Sequence, residues 1–354
     1  MRSSIKLLLS AGILIAVLAS ALVGGSVESN VAQKVKSSND IAIIRVGHFP
    51  NINHAAAIVG LARGTFKEAL PDLEIKTTLF NAGPSAIEAL FAGQIDITYI
   101  GPNPSINGYI KSDGKAVKII AGAASGGAVF VVRDDAGIVS ASDFHGKRFA
   151  SPQLGNTQDV ALRAYIRSKG YELAEKGGTV RVQPVANPDI LTLFLKKELD
   201  GAWVPEPWGA RLVKEAGGKI LVDERELWPN GEFVTANVLV RTDFLKEHPD
   251  IVEKWLKAHV ETILWINANK EEASKIINGE IKRLTGQGIN EEILQEALSR
   301  MKITYDPVKQ SLIKSADDAF KLGYLGDKKP DLSNIYDLSI LNKVLREKRL
   351  SIIG

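Results

Sequence analysis

Few residues in this 354-residue chain could do covalent chemistry, and they are scattered. Cysteine is absent, which excludes disulfides, thiolate nucleophiles, cysteine-ligated zinc and a cysteine-linked lipid anchor. His48 and His54 share a loop but lack an obvious third ligand, so they make a poor metal site. No Walker loop, G-x-S-x-G, H-E-x-x-H or post-strand dinucleotide fingerprint occurs. The sequence therefore offers no catalytic set, no metal centre and no cofactor site. His48 reads as a loop histidine bonded to backbone, whereas His54, at a helix start, can donate to an anion. Glu206, between two prolines beside Trp208, reads as a cleft group for a cationic ligand moiety rather than a solvated rim residue.

What recurs instead is a type of strand end. "HFPNINHA" (48–55), "NAGPSA" (81–86), "GPNPSI" (101–106), "QLGNTQ" (153–158), "ANPDI" (186–190) and "VPEPW" (204–208) share small, amide and proline residues with hardly any acid. Gly83-Pro84, Asn103-Pro104 and Asn187-Pro188 place a small or amide residue before proline at a helix start. An asparagine cap accepts from an early N–H, and proline at the first helical position wastes no donor. The next N–H groups stay free at the positive end of the helix dipole, forming an anion site without cationic side chains.

The elements that must position these segments alternate. Strands are expected over 41–46, 73–80, 95–100, 118–123 and 128–132, with helices over 55–63 and 84–92. Helix Pro84–Ala92 and strand Ile95–Ile100 recur in register 104 positions later, matching Pro84 with Pro188, Asp96 with Asp200 and Tyr99 with Trp203. Two copies of a βαβ unit imply two similar α/β lobes with mostly parallel sheets, not a solenoid. Ligands of such sheets bind beyond the carboxyl ends of the strands. Asp96 and Asp200 read as structural residues that bind a turn. Residues 243–325 read as helices padding one lobe, with Trp255 in its core.

The net charge of +3 is small and no Lys/Arg block marks a nucleic-acid footprint. Arg2 and Lys6 precede an apolar run from Leu7 to Val23, and Ala19-Ser20-Ala21 has the form of a signal-peptidase site. The reading is a signal peptide over 1–21 and a polar tether over 22–40; an uncleaved anchor is the alternative. Either places the bulk of the protein outside the cytoplasm.

"RVGHFPNINHAAAIVGLARGTF", "FNAGPSAIEALFAGQIDITYIGPNPSINGY", "SPQLGNTQDVALRAYI" and "DGAWVPEPWGARLV", in this order, resemble the nitrate/sulfonate/taurine family of solute-binding proteins of ABC importers, closest to its aliphatic sulfonate group. The resemblance continues through "FVTANVLVRTDFLKEHPDIV" and "TYDPVKQSLIKSADDAFKLGYL" and covers nearly all of 44–325. It implies a type II periplasmic-binding-protein fold: two α/β lobes, two hinge strands near Val129–Arg133 and Thr235–Arg241, and a ligand cleft between the lobes. Lobe 1 would be 41–131 and 236–325, lobe 2 132–235, and 326–354 a C-terminal tail. The resemblance carries ligand contacts onto Asn51, Asn53, His54, Pro84, Ser85, Pro102, Asn103, Gly155, Asn156, Thr157, Trp203 and Glu206. It implies a monomer on the periplasmic or extracellular face of the membrane that delivers a small anionic or zwitterionic ligand, of the sulfonate, taurine or nitrate type, to a permease with its ATPase. Phe49, Ile52 and Trp203 would hold an alkyl or aryl tail. The alternative is an enzyme or sensor of the same fold, binding a small carboxylate or pyrimidine precursor.

Overall fold

The computed structural model describes residues 41–354; the expected signal peptide, cleavage after Ala21 and tether lie outside the described residues. The apolar run at the start of this region makes β1 (Ile43–His48). A short turn at Ile52–His54 leads into α1 (Ala55–Ala62) and α2 (Thr65–Ala69). Then come β2 (Glu74–Leu79), α3 (Gly83–Phe91), β3 (Ile97–Ile100), α4 (Pro102–Lys111) and β4 (Val117–Gly126). The pattern repeats as β5 (Ala128–Arg133), β6 (Arg148–Ser151), α5 (Thr157–Ser168), β7 (Arg181–Pro184), α6 (Asn187–Leu195), β8 (Gly201–Pro205), α7 (Trp208–Ala216) and β9 (Gly218–Asp223). The chain continues through β10 (Val234–Arg241), α8 (Thr242–Glu247), α9 (Pro249–Ala268), α10 (Lys270–Thr285) and α11 (Glu291–Ser299). It closes with β11 (Met301–Ile303), α12 (Lys309–Lys321) and α13 (Ser339–Glu347).

The strands form two sheets, ordered β2-β1-β3-β10-β4-β11 and β7-β6-β8-β5-β9. In the first, β2, β1 and β3 run parallel and β10 is antiparallel to β3. In the second, β7, β6 and β8 run parallel and β5 is antiparallel to β8. The strand beside each parallel trio is thus the one the chain lays down on arriving from the other sheet. Each half depends on the other for this strand.

The crossings are not the strands expected from the sequence. Val129–Arg133 and Thr235–Arg241 lie within β5 and β10, paired inside the sheets. The chain crosses at Gly126-Gly127, both at φ +77, and again over 224–233. A side chain at Gly126 would also meet the Arg300 carbonyl at 2.4 Å, so glycine is required twice over. Composition cannot separate a buried strand from a crossing strand, which is why the expected boundary at 131/132 falls inside β5. The expected tail is likewise corrected. Leu341, Val344 and Leu345 of α13 are buried in the core of the six-stranded half, whose α9 carries Trp255 stacked on Phe66 at 3.8 Å. That short amphipathic helix follows a charged, proline-containing stretch, which hides its period.

The repeat has a structural reason. Asp96, fully buried, accepts from the backbone N–H of Arg45 at 2.9 Å and from its guanidinium at 2.9 and 2.6 Å. Asp200 accepts from the N–H of Arg148 at 2.8 Å and from its Nε at 3.4 Å. Each aspartate pins the first strand of its parallel trio to the third. The preceding helix ends at Gly93 (φ +65) in one copy and at Lys197 (φ +61) in the other, and each carbonyl accepts from the same arginine. A lysine in the left-handed region costs about 1 kcal/mol that glycine does not. Lys197→Gly should therefore raise the denaturant midpoint, corresponding to roughly 1 kcal/mol with an unchanged m-value; a lower midpoint would contradict this account of the repeat.

Candidate ligand-binding site

Five of the six strand-end segments meet in one enclosed cavity between the two sheets. It is lined by Phe49, Asn51, Asn53 and His54; by Asn81, Ala82 and Gly83; by Gly101 and Pro104; by Pro152, Asn156, Thr157 and Gln158; and by Asn187 and Thr235. Its volume is about 40 Å³. The starts of α3, α4, α5 and α6 all converge on it. Neither α3, α4 nor α6 has a side-chain cap, and no acid sits in the first turn of α3 or α4. Their early N–H groups keep their capacity to donate. A larger groove of about 610 Å³ lies between α12 and the C-terminal segment, but its walls come only from residues beyond 308 and no strand end reaches it.

No Lys, Arg, Asp or Glu among the described residues lines the cavity. Its one titratable group, His54, is buried beside Phe49 at 4.6 Å. Burial, with a smaller push from His48, holds this imidazole well below its ordinary value, so it is neutral at pH 7. Four lining residues carry a buried polar atom with no partner among the described residues: Asn53 Oδ1, His54 Nδ1, Thr157 Oγ1 and Asn187 Oδ1. Such atoms cost about 1–3 kcal/mol each when nothing meets them. Their gathering around one cavity marks it as a place built to be filled by a polar ligand.

The expected contacts divide sharply. Asn51, Asn53, His54, Asn156 and Thr157 line the cavity. Asn156 acts mainly through its cap, accepting from the Asp159 N–H at 2.9 Å. Pro84, Ser85, Pro102, Asn103, Gly155, Trp203 and Glu206 do not line it. Relative to the Pro pattern, α3 starts one residue earlier and α4 two, and Gly83 and Gly101 line the cavity where Pro84, Ser85 and Pro102 were expected. Asn103 turns away, accepting from Ser315 Oγ at 2.8 Å and tying α4 to α12. Gly155 spends its N–H on Asp159 at 2.9 Å. Trp203 is a core residue, stacked on Phe130 at 5.3 Å with its Nε1 donating to Glu224 at 2.8 Å. Ile52 is also packed in a core.

Glu206 faces neither cleft nor solvent. It is fully buried, accepting from Arg300 Nη1 at 2.7 Å and from the Ala210 N–H at 2.9 Å. Burial pushes its carboxyl up, against the opposing pull of Ala210 and Arg300. Because Arg300 belongs to the six-stranded half, this pair clasps the halves together behind the cleft. The Glu206 carbonyl also accepts from the Ile52 N–H at 3.3 Å, and Trp208 Nε1 donates to Asn51 Oδ1 at 3.1 Å. On the opposite side Tyr324 Oη donates to Asp159 at 2.9 Å. The halves are closed on one another around the cavity. Sequence reasoning missed Asn81, Gln158, Asn187 and Thr235 as individual residues. The first three sit in strand-end segments it had singled out, whereas Thr235, the second residue of β10, has no local signal.

Two α/β halves linked by two crossings, with a polar cavity at their strand ends, define the two-lobed periplasmic-binding-protein fold. The chain belongs to the NMT1-like family, whose model matches residues 39–278. A relative in Bacillus subtilis (strain 168) named for aliphatic sulfonates binding is 24% identical over 82% of this chain and 85% of its own length. The taurine-binding periplasmic protein of Escherichia coli (strain K12) is 27% identical over 51% of this chain and 54% of its own. Among solved structures, the alkanesulfonate-binding protein SsuA from Xanthomonas axonopodis pv. citri bound to MOPS superposes with a TM-score of 0.69. That match has 14% identity and covers 84% of this chain and 99% of that one.

Closure brings Gly101 of one half so near α5 of the other that an added Cβ would lie 2.3 Å from Thr157 Oγ1. Gly101→Ala should hold the halves apart, weakening ligand binding at least ~10-fold while the ligand-free melting temperature barely moves; unchanged affinity in calorimetry would remove this contact from the closed state. Glu224, on the second crossing, is buried, and burial pushes its carboxyl from 4.5 up to about 7 despite the two Trp N–H donors, from Trp203 and Trp228. A raised carboxyl favours the folded state below the unfolded value and loses that advantage as pH rises through the folded one. Glu224→Gln should therefore gain stability relative to the parent between pH 4.5 and 7, by on the order of 3 kcal/mol at the top; a pH-independent difference in denaturation would contradict this.

Proposed function

We propose that this protein is the extracytoplasmic solute-binding component of an ABC importer. It captures a small sulfonate or related oxyanion, of the aliphatic sulfonate, taurine or nitrate type, between its two halves and presents it to a membrane permease. The observation that carries this reading is the closed, charge-free cavity at which helix starts and partnerless buried polar atoms converge. Backbone donors and neutral side chains suit an anion that must be released again, because no fixed countercharge holds it. A ligand touching both halves favours the closed state, since it meets all its partners only there. The permease would then read the surface that closure creates. The lining offers neutral His54 but no activated nucleophile and no acid–base pair, which supports binding without turnover. The apolar run after Arg2 and Lys6 supports export.

A thermal-shift panel of alkanesulfonates, taurine, nitrate, hydrogencarbonate and pyrimidines is the test. At least one anion should raise the melting temperature in a saturable way and be recovered unchanged. A flat response across the panel would contradict the import reading, and conversion of any bound compound would replace it with an enzymatic one.

A further inference from the structure

We infer that the ligand of this cleft carries a hydrogen-bond donor, an O–H or N–H, alongside its acceptor oxygens, and that it is compact. The inference rests on the binding reading above and deepens it.

The decisive residue is Asn53, 4% exposed at the entry to α1. Its Nδ2 donates to the Thr235 carbonyl at 3.4 Å. A carbonyl can only accept, so this contact sets which way the amide faces. The atom left over is Oδ1, which is buried and without a partner among the described residues. It is an acceptor and nothing else. A bare oxyanion turned toward it would set lone pair against lone pair, and the desolvated carbonyl would go unmet. A ligand O–H or N–H satisfies it. Of the other partnerless atoms, Asn187 Oδ1 is a second acceptor that asks for a donor, whereas Thr157 Oγ1 can donate to the ligand's oxygens and neutral His54 carries one N–H that can be placed on either nitrogen. Donors and acceptors are therefore both offered, which a cavity made for nitrate or a plain sulfonate would not need. The small cavity volume of about 40 Å³ favours a compact ligand.

Two pairs of probes, alike in shape and charge at the oxyanion, isolate the donor. Hydrogencarbonate and nitrate share a planar trioxo form, and only the first has an O–H. 2-Hydroxyethanesulfonate and propane-1-sulfonate have similar size and the same charge, and only the first has an O–H donor. Titration calorimetry on the full mature chain should show the donor-bearing member of a pair binding at least ~10-fold tighter. If the compact pair shows the preference, the ligand class is an inorganic hydrogen-bearing oxyanion; if only the sulfonate pair does, the donor claim stands and the claim of a compact ligand is overturned. Asn53→Leu removes the acceptor and should collapse the ratio toward one. Should that variant fail to fold, the wild-type ratios still decide. Equal or reversed affinities within both pairs would overturn the inference and leave the import reading standing. Absence of binding by all four probes would overturn the donor claim, and a flat wider panel would then overturn the import reading as well.

Discussion

Everything else in this molecule is organised around one electrostatic constraint: a buried cavity with polar walls and no charged side chain to answer them. Asn53 Oδ1, His54 Nδ1, Thr157 Oγ1 and Asn187 Oδ1 are buried without partners among the described residues. Each such atom opposes closure of the halves by about 1–3 kcal/mol, and a ligand removes that opposition all at once. The clamp is therefore conditional on its ligand. What favours closure regardless lies outside the cavity: the Glu206–Arg300 pair behind it and the Tyr324–Asp159 bond on the opposite side. The balance between these two sets, and not any single strong contact, would govern release.

The fold serves that balance by making the halves alike and interdependent. Each parallel trio is pinned by a buried aspartate, Asp96 or Asp200, that binds the backbone and guanidinium of an arginine two strands of sequence earlier. The antiparallel strand beside each trio is laid down just after the chain has crossed from the other half. Gly126-Gly127 and residues 224–233 are the two places where the chain passes between the halves. Glycines recur where backbone must come close: Gly126 under the Arg300 carbonyl and Gly101 against Thr157.

Much of this was legible in the sequence, because repeats and strand ends are local patterns. The register of 104 that aligns Asp96 with Asp200 is a count of residues, and the two pinning sites follow it. The amide- and proline-rich strand ends announced the cavity, and five of the six segments reach it. Which atom of each segment faces inward was not legible, because helix starts displaced by one residue in α3 and two in α4 put Gly83 and Gly101 where Pro84 and Pro102 were expected. Glu206 and Trp203 misled for a different reason. Acid and indole look functional when written in line, and only the fold shows that Arg300, far along the chain, neutralises one while Phe130 and Glu224 bury the other. Thr235 has no local signature at all; its place at the cavity comes from the crossing that precedes β10.

A crystal structure of the mature chain with whichever anion raises its melting temperature tests the central claim most directly. The account predicts a compact polyatomic ligand enclosed between the halves, within hydrogen-bond distance of Asn53 Oδ1, His54, Thr157 Oγ1 and Asn187, with Gly101 against Thr157 as in the closed state. Density for the ligand in the groove between α12 and the C-terminal segment, with these four atoms still unmet, would contradict it.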